Sequence, residues 1–157
     1  MKANLIMTRD LVVCHPDQTV AEVMNILRDR SFRVVPVVDE GRRILGAINM
    51  LGLLTKLVPE YIVNGDLKSV AYAPDIGLLL RHYRNIIDLK VSDVMDRDPT
   101  IVHENDSLLS VAAALITYDR FEYAFVVNRE NELLGIISAS DILRRLSKVD
   151  PEGLVDA

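Results

Sequence analysis

The sequence predicts an α/β (α+β) fold built from two copies of one β-α-β-β-α unit. Two apolar runs joined by a turn surround Gly46, and the same pattern returns around Gly135, 89 positions further on. Upstream matches persist at a separation of 88, as for Met7 and Met95. A long period that is present only twice indicates a duplicated supersecondary unit rather than a solenoid.

The first copy is predicted to begin with a short β run at 11–14. A helix follows from Thr19, where the residues have the pattern of a capping box. A valine-rich run at 33–38 is typical of a buried strand, and a turn joins it to a second strand at 44–48. Another helix is predicted from about Leu51.

The second copy repeats this order. It contains a β run at 100–103, a helix from Ser107, hairpin strands at 123–127 and 133–137, and a helix at 140–148. Each copy alone has too few elements to bury its apolar faces. We therefore expect the two copies to pack together with pseudo-twofold symmetry.

The domain organisation follows from the repeat. We predict repeat 1 at 1–57, a connector at 58–90, repeat 2 at 91–149 and a tail at 150–157. The connector has no counterpart elsewhere in the chain, and its stretch 76–87 has the spacing of an amphipathic helix. This helix either covers the core or forms a subunit contact, and the sequence leaves both open.

Composition narrows the function classes. Half of the residues are hydrophobic, which is enough for a substantial core, and the net charge of −5 argues against general attraction to nucleic acid. No apolar run approaches the length of a membrane span, and no signal-peptide core is found. The single cysteine, Cys14, cannot form an internal disulfide and is predicted to be a small buried residue, which agrees with a cytoplasmic protein.

The sequence contains no catalytic constellation. Its histidines, His15, His82 and His103, are dispersed and lack metal-ligand spacing with the cysteine. A glycine-rich phosphate loop is also missing. We therefore expect no enzyme activity, no catalytic cofactor and no metal site.

One polar cluster stands at the end of the last predicted strand. Ser138, Ser140 and Asp141 lie where the chain passes from β structure directly into a helix. Unpaired N–H groups at a helix N-terminus suit an anionic or hydroxyl-rich ligand. The alternative is plain helix capping, which the same residue types also provide.

These features resemble a tandem pair of cystathionine β-synthase (CBS) domains, the Bateman module. The resemblance rests on the repeated element order, the Pro-Val-Val-Asp hairpin from Pro36 and the Gly-Ile-Ile-Ser-x-x-Asp ending from Gly135, and it covers about 5–57 and 90–147. It implies a non-catalytic module that binds adenosine-containing ligands in clefts between the repeats. It also implies that occupancy is signalled to a partner.

The resemblance implies the site residues as well. Asp141 is expected to hold both ribose hydroxyls, Ser138 and Ser140 to line the same edge, and Arg33 to face phosphate. The complete predicted adenosyl site is Met7, Thr8, Val12, Phe32, Arg33, Ser138, Ser140 and Asp141. The implied effector is AMP, ADP, ATP or an S-adenosyl compound.

The equivalent positions in the other repeat depart from this pattern. Gly52 corresponds to Asp141, and Asn49 corresponds to Ser138. The cleft of the other repeat therefore lacks the ribose carboxylate. Glu122 stands at the position of Arg33 and repels phosphate. A diphosphate or triphosphate therefore needs further cations, for which Arg144 and Arg145 are the candidates.

Two functions are compatible with these features of the sequence. The first is a regulatory module that senses an adenine nucleotide and signals to a separate, unidentified protein. The alternative is a structural or dimerisation module with vestigial clefts. In both cases we expect a homodimer, because the helices near 20–27 and 108–115 carry more aliphatic surface than one small core needs.

Overall fold

The computed structural model describes residues 1–28, 30, 32–65, 76–118 and 122–149. The predicted tail at 150–157 lies outside these residues. The elements in chain order are a 3₁₀ turn Ala3–Leu5, α1 Val20–Leu27, β1 Val34–Val38, β2 Ile44–Asn49, α2 Met50–Thr55, α3 Glu60–Val63, α4 Ile76–Ile86, α5 Val91–Val94, β3 Ile101–His103, α6 Leu108–Tyr118, β4 Tyr123–Val127, β5 Leu133–Ser138 and α7 Ala139–Leu146.

Both predicted hairpins are confirmed. One sheet consists of β1 and β2, and the other has the order β3-β4-β5, with β3 parallel and β5 antiparallel to β4. The two hairpin turns have the same geometry, because Arg42 (φ 64°) and Asn131 (φ 63°) both adopt the left-handed conformation. These residues are 89 positions apart, so the duplication extends to the backbone of the turns.

The first strand of the first copy does not form as predicted. In the run 11–14, only Cys14 makes a bridge, to Val37. In the second copy the equivalent ladder includes a hydrogen bond from Phe125 N to Thr100 O at 2.9 Å. Pro36 stands at the position of Phe125 and has no N–H to donate, so the ladder loses that bond.

The chain folds into two compact units that do not coincide with the two repeats. The first unit combines residues 1–12 and 38–45 with the second repeat from Arg97 onward. Thr8 pairs with β5 through hydrogen bonds of 2.8 and 3.0 Å to Ile136. One core cluster of this unit consists of buried apolar side chains from the N-terminal segment and the second repeat: Ala3, Met7, Val102, Val111, Leu115, Ala124, Val126, Ile137 and Ile142.

The second unit is assembled in the corresponding way, from residues 13–37 and 46–96. Asp96 pairs with Ala47 of β2 through hydrogen bonds of 2.8 and 2.9 Å, as Thr8 pairs with β5 in the first unit. Each hairpin is therefore completed by residues from the start of the other repeat. The predicted match of Met7 with Met95 is confirmed by this exchange, since each lies against the glycine of its hairpin.

The predicted helix starts agree with the structure. Thr19 caps α1, its side chain accepting a hydrogen bond of 3.2 Å from Glu22 N. In the connector, α4 is helical as predicted. Its Ile86 is buried, whereas Leu79 and Leu80 are exposed.

Cys14 is buried, as the sequence predicts. Burial raises the pKa of its thiol from 9.0 to about 12. The folded-state pKa is thus the higher one, and the thiol's contribution to stability is fully present below 9.0 and is lost as the pH rises towards 12.

We expect Cys14 to react with an aromatic disulfide reagent at neutral pH far more slowly in the folded chain than in urea, because the thiolate is the reacting form. The measurement is the rate of chromophore release with and without denaturant. Equal rates would contradict burial of this thiol.

Candidate functional site

The polar cluster at the N-terminus of α7 forms a reciprocal capping box. The Ser138 side chain accepts a hydrogen bond of 3.2 Å from Asp141 N, and Asp141 Oδ2 accepts one of 2.9 Å from Ser138 N. Ser138 Oγ also donates to Asp141 Oδ2 at 2.7 Å and lies 2.9 Å from Ser140 Oγ. The capping interpretation is therefore correct for Ser138 and Asp141, and it holds the carboxylate in one orientation.

The two carboxylate oxygens of Asp141 differ in what they can still bind. Oδ2 already accepts two hydrogen bonds from Ser138, which matches its two lone pairs. Oδ1 faces Arg144 Nη1 at 3.7 Å, and the Asp141 side chain is 19% exposed. Oδ1 is thus the atom with capacity for a ligand hydroxyl, and a ribose that uses both oxygens must compete with Ser138.

The predicted site residues Met7 and Thr8 lie in the same unit as Asp141. Met7 is buried against β5, since a Cβ at Gly135 would lie 2.8 Å from its sulfur. Thr8 is exposed and bridges Ile136, two residues before Ser138. Val12 is half-buried at the end of the segment. The fold thus brings Met7 and Thr8 to the strand that leads into the capping box.

Phe32 and Arg33 belong to the second unit. Phe32 is half-buried, and the Arg33 residue is exposed, with its carbonyl accepting a hydrogen bond of 2.9 Å from Met50 N. The place of Phe32 in the ligand cleft and the role of Arg33 as a phosphate ligand stay predictions.

In the first repeat, the positions equivalent to this cluster have a similar backbone arrangement but different side chains. Asn49 caps α2, its Oδ1 accepting a hydrogen bond of 3.0 Å from Gly52 N. No carboxylate follows, because Gly52 has no side chain. In the second repeat Glu122 O accepts a hydrogen bond of 2.9 Å from Ala139 N, as Arg33 O does from Met50 N. Glu122 therefore adds an acidic residue at the N-terminus of α7.

A pocket beside α7 contains residues that were not predicted as site residues. Its volume is about 210 Å³, and its lining is Leu5, Ile6, Asp141, Arg144, Arg145 and Lys148. Residues 144, 145 and 148 follow Asp141 at i+3, i+4 and i+7, a spacing that places them on one helix face. The helical spacing of these basic residues is visible in the sequence and could have indicated Lys148 as well as Arg144 and Arg145. Leu5 and Ile6 come from the N-terminal segment, and no sequence pattern indicated them.

Other site types are not found in the described part of the chain. Within residues 1–28, 30, 32–65, 76–118 and 122–149, no group of three or more His, Cys, Asp or Glu side chains has the arrangement to hold a metal ion. In the same ranges, every helix is too short or too polar to cross a membrane.

Two relatives with similar sequences are proteins of Methanocaldococcus jannaschii. Inosine-5'-monophosphate dehydrogenase is 28% identical over 144 residues, a match that covers 92% of this chain and 23% of the enzyme. The uncharacterised protein MJ1225 is 26% identical over 137 residues, covering 87% of this chain and 44% of the relative. The chain thus spans less than half of either protein.

Among solved structures, CBSX2 in complex with AMP aligns with a TM-score of 0.69 at 20% identity, covering 93% of this chain and 96% of that one. The cytosolic domain of the Mg²⁺ channel MgtE in complex with ATP aligns with a TM-score of 0.67 at 23% identity, covering 92% and 48%. At these identities the alignments show a common fold.

The family assignment rests on the sequence model of the CBS domain, which matches residues 3–58 and 91–148. These segments contain the two hairpins and their capped helices, and together they make up most of the chain. The protein therefore belongs to the CBS domain family, as a tandem pair of CBS domains.

Proposed function

We propose that this protein is a regulatory module that binds an adenosyl ligand at Asp141 and signals its presence to a separate partner protein. The observation that carries the proposal is the orientation of the Asp141 carboxylate by Ser138, with Oδ1 left for a ribose hydroxyl. The AMP complex of CBSX2 and the ATP complex of the MgtE cytosolic domain support the ligand class, since both proteins share this fold.

The proposed role is regulatory rather than catalytic. Asp141 is held by the cap of α7, and its side-chain partners among the described residues are the Ser138 hydroxyl and the Arg144 guanidinium. The match to the dehydrogenase covers only 23% of that enzyme. A cytoplasmic location remains a prediction, and the relative CBSX1 of Arabidopsis thaliana is named as chloroplastic.

A structural module with vestigial clefts is the second candidate. The observation that favours it is the capping box itself, which accounts for Ser138 and Asp141 without any ligand. Under this hypothesis the carboxylate stabilises α7 and nothing else.

Calorimetry on the full chain separates the two candidates. We expect saturable heat from AMP, ATP or S-adenosylmethionine with a stoichiometry of one per chain, because only one of the two equivalent positions has a carboxylate. Guanosine nucleotides serve as the control for the base. If none of the adenosyl compounds binds, the vestigial module replaces the regulatory one.

We also propose that the protein forms a homodimer through the first unit. Helices α6 and α7 contact each other there, and they expose aliphatic side chains: Leu109 (81%), Ile116 (77%), Leu143 and Leu146. On α1 the expected aliphatic surface is limited to Ile26, since Val20, Val23 and Leu27 are buried. Exposed aliphatic side chains on two helices that contact each other favour an interface between copies.

Light scattering is expected to give about 35 kDa, twice the chain mass of 17.6 kDa. The double variant Leu109→Asp, Ile116→Asp is expected to give the monomer mass, because a charge opposite an apolar surface opposes association. Tyr61→Asp is the matched control, since Tyr61 is 74% exposed on α3 of the connector. Dissociation by the control and not by the double variant would assign the interface to the connector instead.

A further inference from the structure

The connector contains the only Asn-Gly pair of the sequence, Asn64-Gly65, directly after α3. Glycine hinders its own backbone nitrogen less than any other residue, because it has no Cβ. That nitrogen can therefore reach the side-chain amide of a preceding asparagine and close a cyclic imide. For this reason an asparagine before glycine loses its amide more readily than one before a larger residue.

The fold favours glycine at position 65. A Cβ there would lie 2.7 Å from Tyr61 O, a backbone atom of α3. Asn64 is the C-cap of the same helix, and its N–H donates a hydrogen bond of 2.9 Å to Glu60 O. The end of α3 therefore places a reactive pair at a position where a side chain does not fit.

The backbone of Asn64 is held away from the reactive geometry. Its ψ is −4°, in the helical region. Closure of the imide needs a large rotation about the Cα–C bond, which brings the Gly65 nitrogen to the side chain and removes Asn64 from that region. The Gly65 N–H also donates to Ile62 O, at a long 3.4 Å. The asparagine amide is thus protected as long as α3 is formed.

The helix that gives this protection is itself weak. α3 has four residues, none of them is buried, and its N-cap Pro59 makes no side-chain hydrogen bond. Tyr61 and Val63 are 74% and 57% exposed. A single helical turn with few buried contacts opens at a low cost in free energy. Local opening of α3 therefore exposes the reactive pair without unfolding the rest of the chain.

We propose that Asn64 is a site of spontaneous deamidation in the folded protein, and that the opening of α3 controls its rate. In the first step the Gly65 nitrogen bonds to Asn64 Cγ, and the bond from Cγ to Nδ2 breaks. The amide group takes up the proton from the Gly65 nitrogen and leaves as ammonia. Water then opens the imide at either carbonyl, which gives aspartate or isoaspartate at position 64.

The product changes the connector in one direction only. Either form adds a carboxylate to a chain whose net charge is already −5. The new charge lies at the C-terminal end of α3, where the helix dipole is negative and disfavours an anion. Isoaspartate also lengthens the main chain by one carbon atom. Both effects oppose the re-formation of α3 with its original cap.

The test follows isoaspartate in the full chain at slightly alkaline pH, with protein isoaspartyl methyltransferase as the probe and peptide mass spectrometry to locate the site. We expect conversion at Asn64 in the folded chain to be roughly tenfold slower than in urea. Equal rates would show that α3 does not protect the amide. Conversion in urea without conversion in the folded chain would show that α3 does not open. Either result overturns the proposal.

Two variants change the stability of α3 and keep the reactive pair. Val63→Ala favours the helix and is expected to slow the reaction in the folded chain, whereas Val63→Gly is expected to accelerate it, with a difference of about fivefold between them. The rate of each variant in urea is the reference, because it removes any direct effect of residue 63 on the chemistry.

Asn105→Gln is the matched control, since Asn105 is an exposed asparagine before aspartate. We expect this variant to accumulate isoaspartate as fast as the wild-type chain. A loss of the signal in the control would assign the reaction to Asn105. An equal ratio of folded to unfolded rates in the two Val63 variants would show that the opening of α3 does not control the reaction.

Discussion

Asp141→Ala is expected to weaken the binding of the adenosyl ligand roughly tenfold to a hundredfold, because loss of a charge-assisted hydrogen bond costs about 1.5–3 kcal/mol. Under the proposed function, the bond concerned would join a ribose hydroxyl to Oδ1, the oxygen that the cap leaves available. The measurement is calorimetric titration of the variant and the wild-type chain with the tightest-binding nucleotide.

The same substitution also removes half of a capping box, which costs about 0.5–2 kcal/mol of stability. Asn49→Ala is the matched control, because Asn49 caps α2 at the equivalent position and no carboxylate accompanies it. The control is expected to lower the stability to urea by a similar amount and to leave ligand affinity unchanged. Equal losses of affinity in the two variants would contradict a single site at Asp141.

Gly135→Ala is expected to destabilise the first unit by about 1–3 kcal/mol, the usual cost of overpacking. A Cβ at Gly135 would lie 2.7 Å from Thr8 O and 2.8 Å from the Met7 sulfur. Thr8 O accepts the hydrogen bond from Ile136 N, so it cannot retreat without breaking that pairing. Gly46→Ala is expected to have the same effect in the second unit, where the clash is with Asp96 O at 2.5 Å.

Gly52→Ala is the control, and we expect it to change the free energy of unfolding in the opposite direction. Gly52 is exposed in α2, and its nearest neighbour to an added Cβ is Asn49 Cβ at an ordinary 3.7 Å. Alanine there is expected to stabilise the helix by about 0.5–1 kcal/mol. Urea unfolding of all three variants measures the changes in free energy. A neutral Gly135→Ala variant would show that the N-terminal segment is not held against β5.

The start of each repeat pairs with the hairpin of the other repeat, and this exchange bears on function in two ways. The N-terminal residues Met7 and Thr8 complete the unit that carries Asp141, so the predicted site residues from both ends of the sequence meet in one unit. The pocket lining continues this pattern, with Leu5 and Ile6 opposite the cations of α7. Removal of the first residues is therefore expected to affect the second repeat rather than the first.

The local pattern of the sequence determined the hairpins and the helices of both repeats. Alternating turns and valine-rich runs predicted the hairpins, because buried short strands need continuous apolar residues. Ser and Thr at helix starts predicted the caps of α1 and α7, which depend on contacts three residues away, whereas the Asn49 cap was found only in the structure. The alignment of the two repeats could also be read from the sequence, because Gly46 corresponds to Gly135 and Met7 to Met95. In the structure each methionine lies against one of these glycines.

Only the tertiary structure decided how these elements are combined. The loss of the first strand at 11–14 depends on a missing N–H at Pro36, which lies on a different strand. The pairing of Thr8 with Ile136 joins residues more than a hundred positions apart, and a local pattern carries no information about such contacts. The capping role of Asp141 was decided in the same way, because only the structure shows that Oδ2 accepts from Ser138 while Oδ1 faces Arg144.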